Sequence, residues 1–196
     1  MERKISYSAA GFEDRDVEAA LDAIAAAGFR YTELFGREPH IPAPLTGATL
    51  AGFNRRVRER GLSIPTIHAP LDRTVLGAPE EAWRQEKVGV LASFLRFARD
   101  VGASNMVIHP VPNPKFVPDA DHPETPARIS DAVRRSLDDL APIAQEAGVR
   151  MLLENLPLQC GYPYVTMTEL RPLADQYPKE TVGWSWIRVM PGCWEI

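Results

Sequence analysis

Two periodicities take turns along this chain. Short apolar runs near Lys4–Ser8, Tyr31–Leu34, Ser63–His68, Asn105–His109, Val149–Glu154 and Thr181–Ile187 read as strands. Between them, apolar residues recur at i, i+3 and i+4, the spacing of helices with one face on a core. The first such pattern, about Asp14–Ala27, aligns Val17, Leu21, Ile24 and Ala25. The second, about Leu50–Arg60, uses Leu50, Phe53 and Val57, and the third, about Glu80–Val101, uses Val88, Leu91, Leu95 and Ala98. The fourth, about Pro126–Ala147, uses Ile129, Val133, Leu137, Leu140 and either Ile143 or Ala144. The last, about Met167–Gln176, is short and contains Pro172. The run Val149–Leu153, interrupted only by Arg150, has the near-continuous apolar character of a strand covered on both faces of a parallel sheet.

Four of the helical patterns close on a glycine just before the next strand: Gly28, Gly61, Gly102 and Gly148. A glycine there can adopt the left-handed turn that ends a helix. Repeated helix–glycine–strand units predict an α/β domain with a parallel sheet. The long Pro-rich connections Pro39–Thr49, Ala69–Pro79 and Pro110–Thr125 follow strands rather than precede them. Long loops on the carboxyl side suit a (β/α) barrel, whose working face lies there. A complete barrel needs eight units and about 250 residues, and this chain reaches only its sixth strand. The pattern therefore leaves an open doubly wound sheet or an incomplete barrel.

Composition adds limits. The 196 residues are 45% hydrophobic and 24% charged, as expected for one globular domain. The net charge of −4 and pI of about 5.6 argue against general nucleic-acid binding. The cluster Arg55, Arg56, Arg58 and Arg60 shares its helix with Glu59 and reads as a solvated face. Cys160 and Cys193 form no CxxC pair, and the amino terminus has no long apolar core of a leader, so a cytoplasmic location is expected. No run approaches the roughly 20 apolar residues of a membrane span.

The chemistry gathers at strand ends. Glu33 closes YTELFG, His68 closes SIPTIHAP, His109 closes NMVIHP, and Glu154 closes the run before Asn155. In α/β folds the carboxyl ends of parallel strands are where ligands bind. Four ionisable side chains on four consecutive strands thus share one rim, and imidazole with carboxylate suits zinc, manganese, iron or cobalt. Glu154 is expected to serve a metal or catalysis. His68 and His109 are expected to ligate or to touch substrate, and Glu33 to contact substrate or pair with a cation. Asn155 is expected to bond a sugar hydroxyl or cap its loop. His40 and His122 read as solvent-facing, Asn113 and Lys115 as a passive loop, and Trp83, Tyr7 and Phe35 as core packing. No GxGxxG, P-loop or nucleophile elbow occurs.

Taken in order and spacing, ISYSAAGF, GFRYTELFG, SIPTIHAPL, GASNMVIHP and GVRMLLENLP resemble the xylose-isomerase-like barrel superfamily over about Lys4–Gly183. That superfamily holds sugar and sugar-phosphate isomerases and epimerases and the apurinic-site endonucleases. The resemblance implies a (β/α)8 TIM barrel, here incomplete, with about six strands and five helices. It implies that Glu154 is a divalent-metal ligand (Mn, Zn, Co or Mg) and an acid/base in epimerases. In the endonuclease branch, positions matching His68 and His109 join it as zinc ligands, and in the isomerase branch the His68 position contacts substrate.

The chain departs from that family after PKETVG, where an Asp-x-x-His strand and two further strands with a His and a Glu are expected. Instead it reads WSWIRVMPGCWEI, with Trp184, Trp186 and Trp194 in no strand pattern. Back-translated with one choice of codons and shifted by one base, GWSWIRVMPGCWEI becomes LELDTGHAGLLGD, the missing strand in the family's style. The expectation is a partial barrel over residues 1–183 and an aberrant, out-of-frame tail over 184–196. With the remaining ligands absent, weak activity and exposed sheet edges are expected. The expected function is metal-dependent isomerisation or epimerisation of a carbohydrate, with neither nucleic acid nor membrane as partner and a homo-oligomer admitted. The alternatives are a zinc-dependent apurinic-site endonuclease and an inactive barrel fragment.

Overall fold

The computed structural model describes residues 5–71, 73–156 and 161–186. Lys4, Cys160, Ile187, Cys193 and Trp194 lie outside the described residues. The elements alternate as the two periodicities require. They are β1 (Ser6–Ser8), α1 (Val17–Ala26), β2 (Tyr31–Phe35), α2 (Gly47–Glu59), β3 (Ser63–His68), α3 (Glu81–Asp100), β4 (Asn105–Ile108), α4 (Thr125–Ala147), β5 (Arg150–Glu154), α5 (Met167–Ala174) and β6 (Val182–Ser185). The four helix-closing glycines all have positive φ, between 65° and 84°, so each turn exploits a backbone region that other residues enter at a cost.

All six strands are parallel, and each lies beside its predecessor in the order β1-β2-β3-β4-β5-β6. A doubly wound sheet reverses its strand order at a switch point. No reversal occurs among the described strands, so the sheet follows the strand order of a barrel.

Register separates the two faces. Leu34 pairs with Ile67, Ile67 with Met106, Met106 with Met151 and Met151 with Val182. This row is at most 2% exposed and forms the core against the helices with Leu21, Ile24, Phe53, Leu91, Leu95, Val133, Leu137 and Leu140. Each such side chain contributes roughly 1.5–3 kcal/mol by leaving water. Ala144 rather than Ile143 completes the buried stripe of α4. The opposite face carries two other rows, Glu33–Thr66–Asn105–Arg150 and Phe35–His68–Val107–Leu152–Gly183. The helix-facing row is therefore wholly apolar, and the inner face mixes polar groups with Phe35, Val107 and Leu152.

Three expectations are corrected. Trp184 does lie in a strand: β6 runs through Ser185, with Trp184 opposite Leu153 and Ser185 opposite Glu154. Trp184 falls on the helix-facing side, near Met167 and Arg171 of α5, and it remains 47% exposed. His40 is buried rather than solvent-facing, with Nε2 bonded to the Phe12 carbonyl at 3.1 Å. The chain after β2 folds back, Ile41 N–H donating to the Phe35 carbonyl, and Ile41 enters the core with His40 beside it. Helix α2 begins at Gly47, ahead of Leu50; the small polar residues there show no apolar period.

Candidate metal centre

Each rim residue is delivered by the end of a strand. His68 is the last residue of β3, His109 follows β4, and Glu154 is the last residue of β5. Their apolar predecessors lock the strands in the core, so the polar side chains project from a fixed edge. His68 and His109 are half-buried and Glu154 is buried. His109 Nε2 stands 3.1 Å from Glu154 Oε2, and His68 Nε2 stands 3.4 Å from the same oxygen. One donor atom from each of the three residues lies within 4.8 Å of the others, the set of this kind among the described residues.

Tautomers follow from the backbone. His68 Nδ1 is 2.8 Å from the Ala69 carbonyl, which can only accept. Nδ1 therefore carries a hydrogen, and neutral His68 presents its Nε2 lone pair to the rim. The two imidazole rings meet edge to face, with centroids 5.2 Å apart and planes at 85°.

The charges are unequal. Burial works against a charged Glu154, but His109 and His68 override it and hold the carboxyl down at about 2. Burial also works against a protonated His68, yet Glu154 and the Ala69 carbonyl outweigh it, and its pKa is raised. For His109 burial wins over Glu154, helped by repulsion from His68, and its pKa is lowered. Without an ion Glu154 is thus a carboxylate, His68 is biased towards its protonated form and His109 towards its neutral one.

The donor set fits a divalent cation. Two ligands each about 2.1 Å from one ion, at about 90–110° to one another, stand roughly 3.0–3.4 Å apart, which matches both histidine–carboxylate separations. Two imidazoles and one carboxylate suit zinc, cobalt or manganese better than magnesium, which favours oxygen ligands. Three protein donors leave coordination positions open, as in catalytic zinc sites.

Glu33 is not in this trio. It pairs in register with Thr66, one row below His68, and accepts a 2.8 Å hydrogen bond from Ser8 Oγ. Burial raises its pKa, opposed by His68 and Ser8 and aided by the Glu154 charge. Asn155 is half-buried immediately after Glu154. His122 is exposed, Trp83 is in the core, and Asn113 caps a turn while Lys115 lies over the Phe116 ring. The arginines of α2 meet acids: Arg56 and Arg60 pair with Glu18, Arg60 also with Asp22, and Arg55 with Glu59. Sequence reasoning missed Ser8 and the role of Phe35. The available signal for Phe35 was its position two residues after Glu33, on the same strand face.

Comparison with known proteins places the fold. A family model described as "Xylose isomerase-like TIM barrel" matches residues 21–186. The fold is similar to a D-tagatose 3-epimerase-like protein (18% identity, TM-score 0.76, 94% of this chain and 64% of that one). It is similar to a D-psicose 3-epimerase solved in the presence of D-fructose (15% identity, TM-score 0.77, 94% and 63%). It is also similar to 3-keto-D-glucoside 4-epimerase from E. coli (19% identity, TM-score 0.72, 89% and 64%). The chain thus spans less than two thirds of the length of each of these structures. Curated proteins yield no match. Among the described residues no helix is long and apolar enough to cross a membrane.

Proposed function

The chain belongs to the xylose isomerase-like TIM barrel family, and from that premise we propose that it carries the metal-binding side of a sugar or sugar-phosphate isomerase or epimerase site. The observation that carries this reading is the convergence of His68 Nε2 and His109 Nε2 on one oxygen of Glu154. A bound divalent cation supplies a Lewis acid that polarises a substrate carbonyl and acidifies the adjacent C–H. His68, His109 and Glu154 would hold it. Glu154 has a second carboxylate oxygen with which to exchange a proton with substrate carbon. Asn155 and the Glu33–Ser8 pair offer hydrogen-bonding groups to sugar hydroxyls. Solved relatives of the same fold are epimerases, one with D-fructose and another with D-tagatose present.

One observation favours a second reading, a zinc-dependent apurinic-site endonuclease: both histidines converge with the carboxylate, as that branch of the family uses them. The acidic pI and the pairing of the α2 arginines with acids weigh against a DNA grip.

Calorimetric titration of the purified chain with Zn2+, Mn2+ and Co2+ tests the site. One ion should bind, and Glu154→Gln or His109→Ala should abolish binding. No binding, or binding that survives Glu154→Gln, overturns the assignment. Incubation of the loaded protein with ketoses and, separately, with abasic DNA then distinguishes epimerase from nuclease. Turnover of neither identifies an inactive barrel fragment.

A further inference from the structure

His68 is the one member of the trio gripped at three points by a single corner of a neighbouring strand and loop. Phe35, at the end of β2, is its in-register partner. The Phe35 ring is buried and meets the imidazole edge-on, with centroids 5.1 Å apart and planes at 63°. The His109 ring also meets the imidazole edge to face, with centroids 5.2 Å apart, so two rings pack against His68. Phe35 is itself held from above: the Arg37 guanidinium lies 4.9 Å from its centroid and pairs with Glu13 at 2.6 Å. The Phe35 carbonyl accepts from Arg37 N–H and Ile41 N–H, closing a tight turn behind the ring.

Gly36 supplies the second grip. Its N–H donates to the His68 carbonyl at 3.0 Å. A Cβ on Gly36 would stand 2.8 Å from Pro70 N and 2.9 Å from Pro70 Cδ. That is backbone and ring, neither of which can swing aside, so any larger residue would push the His68–Pro70 segment off the rim. The third grip is the Ala69 carbonyl on His68 Nδ1, whose position depends on this same backbone segment. Ring plane, strand-end position and tautomer of His68 are therefore all referred to the Phe35–Gly36 corner.

We propose that Phe35 and Gly36 are positioning residues that aim the His68 Nε2 lone pair at the point shared with His109 and Glu154. This rests on the metal-centre reading above. Outer groups that orient a ligating histidine typically change metal affinity 10–100-fold when lost.

The test uses zinc ion alone and the intact chain. Phe35→Leu removes the ring edge but keeps an apolar side chain, and Gly36→Ala adds one methyl group. Each should weaken zinc binding about tenfold. Phe53→Leu, a core substitution on α2 away from the rim, serves as a control for general destabilisation and should leave zinc affinity unchanged. The second readout needs no metal. Long-range 1H–15N spectra above the pKa of His68 should show the pure Nδ1–H tautomer in the unsubstituted protein and in Phe53→Leu. Phe35→Leu and Gly36→Ala should show a mixture of tautomers. If both variants fold, bind zinc as tightly as the parent and keep the pure tautomer, the proposal is overturned. If Phe35→Leu fails to fold, Gly36→Ala decides by the same two measurements. Should the parent itself bind no zinc, the metal reading fails, and the tautomer spectra alone decide the positioning role.

Discussion

Zinc affinity should fall tenfold for each pH unit below the raised pKa of His68. The perturbation is pH, and the reasoning starts from which nitrogen holds which proton. His68 Nδ1 stays protonated against the Ala69 carbonyl, so a second proton must sit on Nε2, the atom that faces Glu154. A metal ion and this proton compete for one lone pair. Because Glu154 and Ala69 raise the pKa above the ordinary 6.5, the competition begins above that value and strengthens as pH falls. His109 follows later: burial lowers its pKa, so it stays neutral to lower pH than His68 does. Glu154, held at about 2, is already ionised. One proton is therefore displaced per ion, and each unit costs about 1.4 kcal/mol of binding. Calorimetry at several pH values between about 8 and 5, in buffers of different ionisation enthalpy, measures both the affinity and the protons released. The plot of log Kd against pH should have a slope near one in acid and flatten at high pH, with proton release running from one to zero. His68→Ala should bind more weakly and lose the slope. A slope of two would mean that His109 is charged as well. No slope in the parent would mean that His68 Nε2 is not a ligand, and the assignment of the trio would fall.

Further outcomes follow from the same coordinates. Without metal, the contributions of Glu154 and His68 to thermal stability are both fully present between about pH 4.5 and 6.5, where the lowered His109 works against them. The depressed Glu154 contributes stability that is lost as pH falls from 4.5 towards about 2, and the raised His68 contributes stability that is lost as pH climbs through its folded pKa; circular-dichroism melts with and without His68→Ala check the two limbs. Zinc at about 100 times its Kd should add about 2.7 kcal/mol, or about 5–11 °C in Tm for a chain of this size, and Glu154→Gln should show no such shift. Gly77→Ala should cost about 1–3 kcal/mol in urea unfolding, because its Cβ would meet Ile129, Val133 and the Pro110 carbonyl at 2.9 Å. Trp186→Ser, at a side chain 61% exposed beside β6, should leave Tm nearly unchanged while reducing light scattering of the concentrated protein.

Much of this arrangement was legible in the residues, for a physical reason. Apolar runs mark buried strands, and the first ionisable residue after such a run must sit where the strand leaves the core. That alone places His68, His109 and Glu154 on one rim. The glycines at 28, 61, 102 and 148 fixed where the helices stop. Other features depend on contacts between segments far apart in the chain. Phe35 reads as a core residue, and it is buried; its second role appears only when register sets it beside His68. Ser8 carries no pattern of its own and gains meaning from its bond to Glu33, 25 residues away. His40, in a Pro-rich loop, is drawn inward by the fold-back of Ile41 onto Phe35. The strand around Trp184 was legible as the run Thr181–Ile187, but the tryptophans added no pattern to it, because the outer face there lacks the apolar partners of the other strands.

The order of the strands also decides which properties stand or fall together. The three donors come from β3, β4 and β5, each hydrogen-bonded to a strand on both sides. His68 lies in the row of Val107 and Leu152, while His109 and Glu154 extend beyond that row, so the rings converge by stagger between strands rather than by facing one another directly. The stagger is fixed by the backbone ladders from β2 to β6, whose helix-facing row is buried, and β1 pairs with none of the three donor strands. The edges carry the exposed apolar groups instead: Ile5 and Tyr7 at β1, Trp184 and Trp186 at β6. Ion binding and edge association are therefore governed by different side chains. A substitution at Trp186 should change how the molecule sticks to others while zinc affinity stays constant, and a substitution at Glu154 should do the reverse. Were zinc affinity to move with Trp186, the metal centre would depend on the sheet edge, and the register of the central strands could no longer be what holds its donors together.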